Sequence, residues 1–306
     1  MVPALWDIEV HGGIALVTND AVVTTPRFGD GNWRGGWWAK YDRQSGDCIW
    51  RRKHRRGAEL FDVIEDVIVS TTHKHSGVYA LSLSTGHRLW TRLGYRFNFF
   101  LRFFDQLPCD NEGDAPERVW RGQILTQSGR LLDNHSGRIV SHHKLDYSTG
   151  GSRTLVRIDG QPVEKRGPLR ERTAFQLHGR DTKQIELLLA KNKLELANVK
   201  PCVTSAHGIT IAVACKPPQE SSQSPQSRLY AGGSSGDVPH FLIVCDAKGT
   251  TIHERYHLGN FYIGEIDWAD PCVFSVTTQT NQQWQWSYKR HLWLFEWSHI
   301  KKMLTI

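Results

Sequence analysis

An all-β fold made of repeated four-stranded sheets is predicted by two features of this sequence. The first is a strand–turn–strand unit that occurs twice, from Trp37 to Trp50 and from Gly77 to Trp90, with a glycine four residues before the final tryptophan in each. The second is the recurrence of hairpin turns along the chain, at intervals of 40 to 57 residues. Each interval has room for four short strands, which is the size of one blade of a β-propeller. The sequence therefore predicts a single β-propeller domain over residues 1–306, with six four-stranded blades or, as the alternative, seven.

The predicted hairpins are centred on six turns. These turns fall at Gly46, Gly86, Gly137, Asn192, Gly249 and Ser298. Glycine suits four of them because it adopts a positive φ angle without a steric penalty. The hairpin around Asn192, over residues 186–196, has a helix as its alternative, because Glu, Leu, Lys and Ala are good helix formers. The last hairpin is predicted over residues 292–306.

Two further strands are predicted upstream of every hairpin except the one around Asn192, from runs rich in Val, Ile, Thr and Phe. These runs cover residues 14–18 and 21–25, 61–65 and 67–71, 99–104 and 123–127, 202–205 and 209–215, and 261–266 and 273–277. An additional strand over residues 5–10 either joins the last blade or belongs to a seventh blade.

The composition is that of a globular protein with a modest positive charge. Apolar residues make up 39% of the chain, and 38 basic against 31 acidic residues give a formal charge of +7. The apolar runs are far shorter than the roughly 20 residues that a membrane-spanning helix needs. The first residues contain neither a basic segment nor a long apolar one, and the six cysteines form no CxxC pair, so a cytoplasmic location without membrane contact is expected.

The segment from Val78 to Trp90 resembles the repeat of pyrroloquinoline-quinone-type propellers, which ends in Ala-Leu-Asp-x-x-Thr-Gly-x-x-x-Trp, although Ser82 stands in place of the Asp. The resemblance covers about 90 residues clearly and about 200 loosely. It implies that Trp50 and Trp90 pack between blades. It implies the fold and not the cofactor, because many such proteins hold no quinone and act as scaffolds or sensors. The quinone-dependent dehydrogenases carry adjacent cysteines, which this chain lacks, so no cofactor is expected and an oxidoreductase is the least favoured function.

Three local patterns are predicted to be structural. Residues 232–236 match G-x-S-x-G, but they lie in a predicted flexible loop, 216–239, without the strand and helix that a nucleophile elbow needs. The pairs His73/His75 and His142/His143 have no identifiable third ligand for a metal. The acidic segment 105–117 lacks the spacing of a calcium loop and is expected to be solvated. No metal site and no catalytic residue are therefore predicted.

The run Arg51–Arg56 carries five fixed positive charges in six residues and is the strongest electrostatic feature. It is either a solvated connector or part of a contact surface. In a four-stranded blade, the loop between the second and third strands and the loop that leaves the fourth strand emerge on one face. That topology would gather loops 26–36, 51–57, 95–98, 142–153 and 216–239 on that face. The predicted contact residues are Arg27, Phe28, Trp33, Arg34, Trp37, Arg51, Arg52, Lys53, Arg55 and Arg56.

Exposed arginine and aromatic side chains are enriched in the hot spots of protein interfaces, so this face predicts a non-enzymatic protein that binds an acidic protein partner. An inhibitor or immunity-type protein is one form of that hypothesis. The alternative is nucleic-acid binding by the same residues, through stacking on bases and contacts with phosphates. The sequence leaves the partner and the oligomeric state open.

Overall fold

The computed structural model describes residues 4–10, 13–26, 36–53, 58–72, 77–92, 116–150, 153–163, 180–197, 202–204, 208–217, 237–269, 271–280 and 290–304. Within these ranges the chain forms antiparallel β-strands and two helices. The helices are α1 (Arg180–Lys191) and α2 (Trp297–Leu304). Neither of these helices is long and apolar enough to cross a lipid bilayer.

Six sheets are present in the described ranges, numbered here in chain order. Sheet 1 contains β2 (Ile14–Val17), β3 (Ala21–Thr24), β4 (Trp37–Asp42) and β5 (Cys48–Lys53). Sheet 2 contains β6 (Ala58–Ile64), β7 (Val67–Thr72), β8 (Gly77–Ser82) and β9 (Arg88–Arg92). Sheet 3 contains β10 (Pro116–Trp120), β11 (Gln123–Thr126), β12 (Arg130–Leu132) and β13 (Ile139–His142).

The other three sheets are less regular. Sheet 4 contains β14 (Leu145–Gly150), β15 (Arg153–Ile158) and β16 (Gln161–Val163). Sheet 5 contains β17 (Glu195–Leu196), β18 (Cys202–Thr204), β19 (Ile209–Cys215), β20 (Val238–Asp246) and β21 (Ile252–Phe261). Sheet 6 contains β22 (Ile263–Ala269), β23 (Val273–Gln279), β24 (Arg290–Glu296) and the N-terminal β1 (Trp6–Val10).

Strands follow one another in chain order across sheets 1, 2 and 3, as they do in propeller blades. The predicted all-β fold of four-stranded, propeller-type sheets is therefore confirmed. The additional N-terminal strand joins the last sheet, where Trp6 pairs with Leu294 and Val10 with Arg290. That pairing confirms the first of its two predicted placements. The number of blades in the complete chain stays a prediction.

The described residues divide into two compact units. One comprises Met1–Val22, Asp42–Asp47 and Thr173–Ile306, and the other comprises Val23–Tyr41 and Cys48–Arg172. The prediction of a single domain over residues 1–306 stays a prediction.

In the unit that holds sheets 2, 3 and 4, the core is built between successive sheets. Alternate residues of sheet 2, such as Val67 and Val69, pack with Ile124 and Leu132 of sheet 3. The opposite face of sheet 3 packs with Ile158 of sheet 4 through Leu125 and Leu131. Successive side chains of a strand point to opposite faces, so one sheet fills two neighbouring layers of core.

In the other unit, sheet 5 is buried on both faces. Ile211 and Val213 face the core that sheet 5 shares with sheet 6, whereas Ala212 and Ala214 face α1. Burial on both faces explains why β19 is apolar without alternation, since every residue of Ile209–Cys215 is buried.

Tryptophans on the last strand of one sheet dock on a hairpin turn of another. The Trp50 Nε1–H donates a hydrogen bond to the Leu83 carbonyl at 3.0 Å, and the Trp90 Nε1–H donates to the Asn134 carbonyl at 2.8 Å. Trp6 does the same with the Arg43 carbonyl at 2.7 Å. The packing that the propeller resemblance implies for Trp50 and Trp90 is therefore confirmed, and Trp6 is a further docking residue that the sequence analysis did not single out.

The predicted hairpin around Asn192 is wrong and its helical alternative is confirmed, because residues 180–191 form α1. Ile185 and Leu189 are four residues apart and are completely buried against sheet 5, so a helical face is formed. The helix ends in a Schellman arrangement: Lys193 has φ 55°, and the Leu194 N–H donates to the Leu189 carbonyl at 2.9 Å.

The predicted hairpin over residues 292–306 is also wrong, because β24 is followed by α2. Trp297 and Ile300, three residues apart, are buried in the core of sheets 5 and 6, and that contact favours a helix. The loop predicted over residues 142–153 is replaced by β14 and the beginning of β15.

The region before β11 differs from the prediction as well. The partner of β11 is β10, and the predicted strand 99–104 lies outside the described residues. Glu117, expected in a solvated acidic segment, belongs to β10 and is buried with Arg118, whose Nη2 lies 4.0 Å from the Glu117 Oε1. The rest of the acidic segment lies outside the described residues. In the predicted loop 216–239, the last two residues belong to β20.

Candidate partner-binding surface

Four of the predicted contact residues lie in the hairpin of β4 and β5, where Trp37 begins β4 and Arg51, Arg52 and Lys53 end β5. The other six lie outside the described residues, so their place on the same surface stays a prediction: Arg27, Phe28, Trp33, Arg34, Arg55 and Arg56.

The basic run begins as a strand and not as the predicted connector. The β4–β5 ladder continues through the pairs Ala39–Arg51, Trp38–Arg52 and Trp37–Lys53. β5 is the last strand in the order of sheet 1, and its three basic side chains are exposed. Positive charge on a terminal strand disfavours pairing with a second sheet edge, so the run has a structural benefit beside any binding role.

The strand alternation sends the basic residues to two faces. Trp50 and Arg52 share the face that docks on sheet 2, and Arg51 and Lys53 share the opposite face. The Arg52 Nη2–H donates to the Thr85 carbonyl at 3.3 Å, beside the docked Trp50. Arg92 repeats this contact two residues after Trp90, where its Nε–H donates to the Gly137 carbonyl. Arg52 is therefore held by an intramolecular contact.

Arg51 and Lys53 both gather around the Trp37 indole. The guanidinium carbon of Arg51 lies 4.5 Å from the ring centroid, and the Lys53 Nζ lies 5.9 Å from it. Arg51 reaches the ring diagonally across the hairpin, and Lys53 pairs with Trp37 directly. We call these three residues the basic strip. Cation–π contacts at exposed sites contribute about 0.5–1 kcal/mol each, which is enough to orient the side chains without removing their charges from solvent.

The arrangement and the chemistry of the basic strip are suited to the recognition of a negatively charged group. The exposed guanidinium of Arg51 can hold a carboxylate by two parallel hydrogen bonds, and Lys53 supplies a second positive charge beside it. The half-buried Trp37 supplies an apolar surface between them. This combination of an aromatic side chain and arginine is the one enriched at interface hot spots.

The histidine pairs do not form a metal centre in the described part of the chain. No group of three or more His, Cys, Asp or Glu side chains there is placed to hold a metal ion. His73 and His75 lie outside the described residues. His143 instead contacts Ser141 and Asp159, at 2.8 Å and 2.6 Å. Sequence reasoning noted His143 and missed the other two residues. The signal it could have used was the Ser-x-His spacing, because alternate residues of a strand share a face.

Comparisons with known proteins identify solved structures only. No protein-family model matches the chain, and no curated protein matches it. The crystal structure of BamB from Moraxella catarrhalis is 11% identical over 95% of this chain and 99% of that one, with a TM-score of 0.28. The Cps50 (Swd1) β-propeller domain of Myceliophteria thermophila is 11% identical over 95% and 98%, with a TM-score of 0.36. A europium-containing methanol dehydrogenase is 9% identical over 94% and 73%, with a TM-score of 0.28.

Proposed function

We propose that the protein binds an acidic protein partner through the basic strip, so that its role at this surface is recognition and not catalysis. The observation that carries the proposal is the clustering of two exposed cations, Arg51 and Lys53, around Trp37 at the end of a sheet. Charge complementarity would raise the rate of encounter, and the indole would provide apolar contact after encounter. An inhibitor or immunity-type protein is one form of this proposal, in which the partner would be an enzyme or toxin.

A cytoplasmic location is part of the proposal. Its support is the state of the four cysteines whose side chains are described: Cys48, Cys215, Cys245 and Cys272 are free thiols, and Cys48 and Cys272 are exposed. Exposed free thiols are typical of a reducing compartment.

The test is affinity capture with charge-reversed variants. The double variant Arg51→Glu/Lys53→Glu removes both cations of the strip. The control is Arg88→Glu/Arg138→Glu, which makes the same change of net charge at two other exposed arginines. Arg88 lies in a hairpin of sheet 2, and Arg138 lies in a hairpin of sheet 3. Tagged wild type and both variants are incubated with cell lysate, with and without nuclease.

The proposal expects one protein band that survives nuclease, persists with the control and is lost with the strip variant. Affinity for that partner should fall about tenfold or more when measured at low salt, in line with the loss of two close charge pairs. Equal capture by the strip variant and wild type would contradict the proposal. Material that disappears with nuclease, and whose affinity falls steeply with salt concentration, would favour the nucleic-acid alternative.

A further inference from the structure

Three side chains in the unit that holds sheets 3 and 4 form a continuous hydrogen-bonded relay. Ser141 lies on β13, His143 follows it by two residues, and Asp159 lies in the turn between β15 and β16. The Ser141 Oγ lies 2.8 Å from the His143 Nε2, and the His143 Nδ1 lies 2.6 Å from the Asp159 Oδ2. The two ring nitrogens therefore have different partners, a hydroxyl on one side and a carboxyl on the other.

The backbone fixes the relay on both sides of the imidazole. The His143 N–H donates to the Gly129 carbonyl at 2.7 Å, which holds the end of β13 against the turn before β12. The Asp159 Oδ1 accepts the Lys144 N–H at 3.0 Å, and the Asp159 N–H donates to the Lys144 carbonyl at 3.0 Å. Asp159 is thus held by a second set of hydrogen bonds, which directs its other carboxylate oxygen, Oδ2, at the ring.

The protonation of the relay follows from these contacts. Hydrogen bonds from His143 and then from the Lys144 N–H hold the pKa of the Asp159 carboxyl below its usual value, so the group is a carboxylate at neutral pH. A carboxylate accepts, so the His143 Nδ1–H donates to it. In a neutral imidazole with its proton on Nδ1, the lone pair lies on Nε2, where it can accept the Ser141 hydroxyl proton.

The site is open to solvent without being fully exposed. The His143 side chain is 16% exposed and the Asp159 side chain 55%. The rings of His143 and Trp120 form a T-shaped pair with 4.8 Å between their centroids, and the Arg121 guanidinium lies 4.5 Å from the centroid of the same indole. The imidazole is therefore confined between an indole and a carboxylate while a face of the site remains accessible.

The residue that follows Ser141 also supplies a backbone N–H group at this edge of sheet 3. β13 ends the order of sheet 3, and the His143 N–H points toward β12. Because the N–H groups of a strand alternate in direction, the N–H of His142 points away from β12. His142 is the residue that follows Ser141, and an N–H group in that position can hold the oxygen of an attacked carbonyl.

We propose that Ser141 is a nucleophile, with His143 as its general base and Asp159 as the positioning residue, and that the site accepts carboxylic esters that reach it from solvent. The Ser141 Oγ bonds to the carbonyl carbon while its proton moves to the His143 Nε2. The bond between that carbon and the alcohol oxygen then breaks, and the alcohol leaves with the proton. Water attacks the acyl-serine by the same route and releases the carboxylic acid. This activity is separate from partner binding by the basic strip.

The first test is labelling of the full-length protein with a fluorescent fluorophosphonate, which bonds to an activated serine and releases fluoride. Labelling should map to the peptide that contains Ser141, and Ser141→Ala should abolish it. The control variant is Ser136→Ala, because the Ser136 hydroxyl donates to the Asp133 carboxylate and not to an imidazole. Label on Ser136, or label that survives Ser141→Ala, would overturn the proposal.

The second test separates a base from a merely structural histidine. His143→Ala should slow labelling and the hydrolysis of p-nitrophenyl acetate by about 100-fold or more, the usual size of a general-base contribution. Added imidazole should restore part of the labelling rate of His143→Ala, because it can accept the hydroxyl proton in place of the missing side chain. Absence of labelling in a wild-type sample whose near-ultraviolet circular dichroism spectrum shows a folded protein would also overturn the proposal. The relay would then only connect sheets 3 and 4.

Discussion

The indole of Trp50 packs directly on Gly86, so closely that a Cβ atom at this glycine would lie 2.6 Å from the Trp50 ring carbons Cδ2 and Cε3. The same relationship joins Gly137 with Trp90, at 2.5 Å, and Gly46 with Trp6, at 2.8 Å. Each of these glycines also has a positive φ angle. The turn glycine of the repeat therefore has two functions: it allows the turn, and it leaves room for a tryptophan.

The two functions of Gly86 can be separated by a matched substitution. Gly86→Ala adds a methyl group against Trp50 and also a side chain at φ +69°, whereas Gly122→Ala meets no atom within 4 Å at φ +75°. The positive φ alone costs about 1–2 kcal/mol, and overpacking adds about 1–3 kcal/mol. We expect Gly86→Ala to lower the free energy of unfolding in urea by at least 1 kcal/mol more than Gly122→Ala does. Equal losses in the free energy of unfolding would show that the Trp50 indole moves aside to accommodate the methyl group.

The hydrogen bond of the docked indole gives a second prediction. Trp90→Phe keeps an aromatic ring and leaves the Asn134 carbonyl without the N–H that it accepts at 2.8 Å. We expect a loss of about 1–2 kcal/mol in the free energy of unfolding, from the missing hydrogen bond and the smaller ring. Leu89→Ala, at the exposed neighbouring position, should change it by less than about 0.5 kcal/mol. A Trp90→Phe protein as stable as wild type would show that the ring alone accounts for docking.

In sheet 5 the docking residue is aliphatic and comes from a helix. The Cγ1 of Ile185 on α1 lies 2.5 Å from the position of a Cβ atom at Gly249, the place that indoles occupy at the other turns. Ile185→Ala should lower the free energy of unfolding by about 2–5 kcal/mol, because the side chain is fully buried. Leu187→Ala, two residues away and 65% exposed, is the control and should have almost no effect. Comparable effects of the two variants would contradict this account of α1.

The strands of sheets 1 and 2 could be predicted from the sequence because the residues that indicate them lie close together in the chain. Alternating or β-branched strands and a glycine turn lie within fourteen residues of one another in Gly77–Trp90. The helix α1 could not be separated from a hairpin in this way. Its sequence suits both, and the decision comes from burial of Ile185 and Leu189 against residues of β19 and β20, which are more than twenty positions away.

The same distinction holds for the two sites. The hairpin that contains Trp37 is predicted only as far as Trp50, and the contact of Trp37 with Arg51 and Lys53 arises because β5 continues for three residues beyond it. The Ser141–His143 spacing is visible in the sequence. Asp159 is not, because it reaches His143 only through the packing of sheet 4 beside sheet 3, and sheet 4 itself was not expected.

Acid should remove a contribution that the turn carboxylates make to stability. The hydroxyl and then the N–H of Ser136, both 2.7 Å from the Asp133 Oδ1, hold the pKa of this carboxyl below its usual value. A lowered folded-state pKa stabilises the protein above the unfolded value of about 3.9, and this contribution is lost as the pH falls through the folded-state value. Asp133→Asn should therefore lose less stability than wild type between pH 5 and pH 3 in urea titrations. A loss of stability in Asp133→Asn equal to that of wild type over this pH range would contradict this account.

Ser82 occupies the position of the turn carboxylate in sheet 2, and Asp66 supplies the missing charge. The Ser82 Oγ accepts the Thr85 N–H at 3.2 Å, as the Asp133 carboxylate accepts that of Ser136. The hydroxyls of Ser82 and Ser84 both donate to the Asp66 Oδ2 at 2.9 Å. Restoring the aspartate of the repeat at this turn would therefore place two carboxylates side by side.

Ser82→Asp should destabilise the protein at pH 7, even though it restores the consensus residue. Two adjacent carboxylates repel each other and raise the pKa of one of them, so the folded state of the variant binds a proton more readily than the unfolded state does. The destabilisation should therefore shrink as the pH is lowered to about 5. Asp66→Asn added to Ser82→Asp removes the repulsion and should restore most of the stability at pH 7. Urea midpoints of wild type, both single variants and the double variant at the two pH values measure this coupling, and additive effects of the two substitutions would contradict it.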